Sequence, residues 1–173
     1  GVSMQYLTRV TSLALLCWFM GCATVGNYPG PSDFPAQWEW KLVASEPAPA
    51  VAQFQKLFFN APDMNEALRA QLAQMLLDHP NNGHIHDMAA HLNELDGRPD
   101  KSWWHWAQAS RDTTWDLTSY ALNRMSEKIL TVRQKQETLN LCEHLIQGHP
   151  DMSVRALATN FAGSLYFQLG DLD

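Results

Sequence analysis

The sequence predicts an all-α protein whose antiparallel helix-turn-helix units stack as a short solenoid. Three observations carry this. Leu68, Leu72, Met75 and Leu76 recur at helical spacing, which puts them on one face of a helix. The closure "LLDHPNN" (Leu76 to Asn82) returns as "LIQGHPD" (Leu145 to Asp151), the His-Pro pairs lying 70 residues apart, twice the roughly 34-residue period of such a unit. After Ala50 no alternating apolar run is bounded at both ends by turn residues, so hairpins are not expected.

With 173 residues, 46% of them apolar, the chain can bury one sizeable core or a short array of packed helices. Its net charge is −6, with acidic and basic residues interspersed. Phosphate recognition needs clustered cations, so this balance argues against nucleic acid. Cysteines occur at Cys17, Cys22 and Cys142; two sit in the N-terminal apolar segment, which leaves the folded part no internal disulfide framework.

Taken in order, the first element is residues 1–22. Arg9 precedes an apolar run from Val10 to Gly21, the layout of an export signal and too short for a comfortable membrane span. Its end, "FMGC", resembles the bacterial lipobox. That resemblance implies cleavage before Cys22, a lipid on Cys22, and membrane attachment through it. Ala23 follows where an aspartate would mean retention at the inner membrane, which implies the outer membrane, facing the periplasm. A conventional signal cut near Ala23, or an uncleaved anchor, would use the same residues.

Residues 23–50 hold Pro29, Pro31, Pro35, Pro47 and Pro49, which reads as a largely extended tether. Within it "QWEWKLVA" alternates Trp38, Trp40 and Leu42 with polar residues. A short strand fits this, as does a clip whose aromatics cap the edge of the first helices.

Residues 51–173 read as helices. Asp63 and Glu66 form a capping-box pattern before "MNEALRAQLAQMLLDHP", which Pro80 follows. Gly97 and Pro99 punctuate two more helices. Gly97 and Gly170 are 73 residues apart, a few more than two periods, so a longer connection is expected near Ser126 to Arg133. The terminal "GDLD" has the character of the "GRPD" turn at Gly97. The last unit therefore reads as truncated, with Phe161, Leu165 and Tyr166 left without a partner helix.

Three sets of residues resemble the tetratricopeptide repeat: Gly163, Tyr166 and Gly170 on a first helix; Ser102, Trp103, Trp106 and Ala109 on a second; and Thr138, Leu139, Cys142 and Leu145, closed by Pro150. The resemblance spans roughly 63–173. It implies a solenoid in which small residues let helices approach and aromatics fill the gap to the next unit. It also implies a concave surface that contacts a protein or peptide.

In "HIHDMAAH", His84, Asp87 and His91 share one helix face at i, i+3 and i+7, and Glu94 continues it. The resemblance places that face on the concave side, making these four residues candidate partner contacts; a solvated polar face that happens to be His-rich would use the same residues. A metal would need a fourth ligand from elsewhere, and His-Glu-x-x-His is absent, so no metal site is expected. Trp104 falls where the pattern expects an exposed polar residue. It is a candidate contact, or else it covers the linker or a neighbouring unit. Cys142, among Leu139, Leu141 and Leu145, reads as a buried small hydrophobe.

No Ser-His-Asp order, P-loop or Gly-rich dinucleotide turn is found. The expectation is therefore no enzyme, no cofactor and no small-molecule substrate. What remains is a lipid-anchored envelope scaffold that binds a protein or peptide. The other reading is an accessory repeat region of a larger envelope enzyme, with a transglutaminase- or peptidase-like domain beyond residue 173.

Overall fold

The computed structural model describes residues 40–128 and 130–170. The export signal, Cys22, the first part of the tether and the last three residues lie outside the described residues. Those described form seven helices and no named strand, so the chain is all-α. The helices are α1 (Pro49–Asn60), α2 (Glu66–Asp78), α3 (Gly83–Leu95), α4 (Pro99–Ser110), α5 (Thr118–Ser126), α6 (Val132–Gly148) and α7 (Met152–Leu169).

Local chemistry sets the ends. Prolines open α1 and α4 in the first turn, where a missing N–H leaves no hydrogen bond unmade. Asn82 and Asp151 cap α3 and α7 by accepting first-turn N–H groups. The start of α2 differs from the sequence expectation. Asn65, not Asp63, is the cap, accepting from the Leu68 N–H at 3.1 Å, while the Arg69 side chain holds the Met64 carbonyl at 3.0 Å and keeps Met64 outside the helix. The capping box is instead at α6, where Thr131 and Gln134 satisfy one another's backbone N–H groups. Thr131→Ala should cost about 1 kcal/mol, read as a lower urea midpoint with unchanged slope.

Helix α3 is the hub of one half. Val51, Phe54 and Phe58 of α1 and Leu72 and Leu76 of α2 meet Ile85, Met88, Ala89 and Leu92 of α3 in one apolar cluster. Both α1 and α2 pack on α3. A second cluster joins α4 through α7, including Trp103, Trp106, Leu122, Met125, Leu141, Leu145 and Leu165. Helix α4 lies between the halves: every residue from Ser102 to Ser110 is buried, as expected of a helix enclosed on all sides. It packs on α3 and α5, while α7 packs on α6 and α5. The Trp103 indole donates to the Thr138 hydroxyl at 3.1 Å, tying α4 to α6.

Residues 40–45, within the segment read as a tether, run along the connection between α4 and α5. Trp40 is buried and donates to Glu137 at 2.7 Å. The Val43 N–H donates to the Arg111 carbonyl (2.9 Å), and the Thr113 N–H donates to the Val43 carbonyl (2.8 Å).

The residues matched to second-helix places, Ser102, Trp103, Trp106, Ala109, Thr138, Leu139, Cys142 and Leu145, are all buried, on α4 and α6. Burial also pushes the Cys142 thiol up to about 12, which leaves it protonated and inert. Gly97 and Gly170 take φ of 68° and 76°, the left-handed turns that favour glycine. A Cβ on Gly163 would meet nothing within 4 Å, which fits a unit read as lacking its second helix. One expectation for α7 changes. Phe161 and Leu165, expected bare, are buried because α5 and α6 cover that face, and only Tyr166 stays exposed.

Candidate functional site

The C-terminal half of α3 borders a surface groove of about 390 Å³, lined by Phe58, Phe59, Ala61, Met64, His91, Glu94 and Leu95. The walls are apolar. Phe59 is 51% and Leu95 73% exposed, so large hydrophobic side chains face solvent there. At its inner edge the His91 ring meets three others: Phe59 at 5.7 Å and Trp106 at 6.0 Å, both edge-on, and Tyr120 stacked at 6.1 Å. Four different helices supply these rings. Beneath them the Asp87 carboxylate, almost wholly buried, lies 3.5 Å from His91 Nε2.

Charge at the groove is matched internally. Arg124 donates to Glu94 at 2.7 Å and Lys128 reaches its other oxygen; Arg124 also pairs with Glu127 at 2.7 Å. Burial opposes ionisation of Glu94, but these hydrogen bonds outweigh it and hold its carboxyl below the usual range. Both cations also sit about 5 Å from the centre of the Trp106 ring, a favourable cation–π distance. Burial, with Asp87, Glu94 and Glu127 nearby, pushes the Tyr120 hydroxyl up, so it remains a neutral donor. The result is a nearly neutral, aromatic, half-exposed surface suited to apolar side chains, with imidazole and phenol as hydrogen-bonding groups at its edge.

The structure therefore brings Asp87, His91 and Glu94 together but separates His84 and Trp104 from them. His84, in the first turn of α3, lines a second cleft instead, with Ser45, Glu46, Gln55, Asn82 and Thr114. Trp104 is buried at 7% exposure, not on the surface. Its ring packs edge-on against His86 (5.7 Å) and His105 (4.9 Å) because α3 covers that side of α4. Among the described residues no three His, Cys, Asp or Glu side chains gather to hold a metal.

Two constellations were missed by sequence reasoning. One is the buried pair His86 and His105, whose Nδ1 atoms lie 3.0 Å apart. The other is Asp112, 1% exposed, which joins Ser45, Gly83 and Thr114. The "WHW" spelling was an available signal for the first, since it sets His105 between two tryptophans; His86, between Ile85 and Asp87, had none. Phe59 and Tyr120 had no local signal.

Comparison with protein-family models, with curated proteins and with solved structures finds no match to this chain.

Proposed function

We propose that the chain is a non-enzymatic, lipid-anchored scaffold of the bacterial envelope that binds a protein or peptide partner through the groove around His91. The observation that carries the reading is the groove itself: Phe59, Leu95 and Tyr120 expose large apolar surface beside ring-packed His91. Rings and aliphatic side chains left half-exposed around a concavity are what a partner's apolar anchors fill. The lipobox-like Cys22 and the proline-rich residues after it support the anchor, and the buried second-helix residues support the repeat-like reading. No helix among the described residues is long and apolar enough to cross a membrane.

The anchor is tested by labelled palmitate, which should enter the wild type and be absent from Cys22→Ala. The groove is tested by co-purification from envelope extract with Phe59→Glu/Leu95→Glu. Both positions are at least half-exposed, so the variant should stay folded, with a modestly lower melting point from the lost Phe59 ring contacts, while losing its partner at least tenfold. Partners recovered equally by variant and wild type would remove the groove from the account.

A further inference from the structure

The His86–His105 pair lies at the seam between the two apolar clusters, where α3 crosses α4. His86 Nε2 is 2.8 Å from the Pro80 carbonyl. A carbonyl can only accept, so Nε2 carries the hydrogen; a neutral imidazole has just one, which leaves its Nδ1 bare. That Nδ1 accepts from His105 Nδ1–H at 3.0 Å. A single chain of donors thus runs from α4 through α3 to the turn after α2, and Trp104 packs against both rings. One extra proton places a cation in a site closed to water. Two would set N–H against N–H across the same 3.0 Å.

We propose that this pair is a proton-operated latch: acidification releases the Pro80 turn and loosens α3 from α4.

The charges acting on the latch come from three places. Arg111 opposes a proton on His86 and Asp112 favours it, both from the connection after α4. Lys101, on α4, opposes one on His105, as does His86 itself. Burial dominates. It pushes His86 down to about 4, although the Pro80 carbonyl pulls the other way, and it pushes His105 well below its ordinary value. The opened state, with an ordinary imidazole near 6.5, therefore binds more protons than the closed state between about 4 and 6.5. Closure is fully stabilised above that window and is lost as pH falls through it. His91 and Trp106 also ride on α3 and α4, so acid would dismantle the groove too. That consequence rests on the partner-binding reading; the latch does not.

Amide hydrogen exchange of the full chain, corrected for intrinsic rates, reads the latch directly. From pH 7.5 to 4.5, protection of residues 80–93 and 101–110 should fall roughly 70-fold through His86 alone; His149, between α6 and α7, is also buried and held below its ordinary value, so the reference is the double variant and not that helix pair. His86→Gln/His105→Gln should abolish that fall. Protection that is flat in the wild type, or that falls equally in the variant, would overturn the proposal. Should the variant not fold, the histidine ring signals of the wild type decide. Rings that protonate only as α3–α4 protection is lost support the latch. Rings that titrate near 6.5 with α3–α4 protection intact exclude it.

Discussion

Asp112→Ala will destabilise the fold by about 3 kcal/mol, because it leaves the buried Gly83 N–H without an acceptor and removes four further part-buried hydrogen bonds. Oδ2 accepts from the Gly83 N–H (2.8 Å) and the Ser45 hydroxyl (2.6 Å). Oδ1 accepts from the Ser45 N–H (3.1 Å), the Thr114 N–H (3.0 Å) and the Thr114 hydroxyl (2.6 Å). One side chain therefore pins the N-terminal segment, the first turn of α3 and the α4–α5 connection to each other. Asp112→Asn keeps the shape but turns an amide N–H toward a backbone N–H on whichever side it lies, so it should recover at most half the loss. Urea unfolding at pH 7 measures both; a loss under about 1 kcal/mol for the alanine variant would show that the three segments hold without it. Burial works against ionised Asp112, but the hydrogen bonds outweigh it and depress its carboxyl below the usual value. Its stabilisation is present above the ordinary carboxylate range and is lost only as pH falls beneath that range. The histidine window lies higher, so the two effects separate on one pH titration.

Gly83→Ala will cost about 3 kcal/mol or more, by collision and not by lost flexibility. A methyl at that position would lie 2.5 Å from Trp115 Cγ, 2.6 Å from its Cβ and 2.9 Å from Cδ2. Trp115 is 2% exposed, and a contact with Cβ is not relieved by turning the ring. The backbone of α3 or of the α4–α5 connection must move, which also stretches the bond from Gly83 to Asp112. The check is the thermal midpoint of Gly83→Ala beside that of Gly163→Ala, where nothing lies within 4 Å of the added methyl. Gly163→Ala should match or slightly exceed the wild type, since alanine favours a helix interior over glycine. Equal midpoints for both variants would contradict the packing described for Trp115.

How far the sequence could be read depended on the range of the interactions involved. Helices were legible because their signals are local. Gly97 and Pro99 end one and start the next, and the apolar spacing of Leu72 and Leu76 survives intact in α2. The misplacement of the α2 cap by two residues is of the same local kind: Asp63 and Asn65 both suit the role, and Asn65 takes it. Long-range pairing was not legible. Nothing near Asp112 announces that Ser45, 67 residues earlier, donates to it. Trp104 was read from a repeat pattern that expects one face of the helix to meet water; α3 covers that face and the ring packs on two histidines. Asp87, His91 and Glu94 could be grouped from the sequence because they share a helix face, though only His91 and Glu94 line the groove. Phe59 and Tyr120 come from α1 and α5 and meet His91 only after folding.

The partner-binding groove is tested most directly by photo-cross-linking in intact envelopes, with benzoylphenylalanine placed at Leu95 in one strain and at Phe167 in another. Both side chains are at least 70% exposed, but only Leu95 lines the groove. A discrete adduct from position 95, absent from position 167 and lost when Phe59→Glu is added, is the expected result. No adduct at 95, or the same adducts from both positions, would contradict the account.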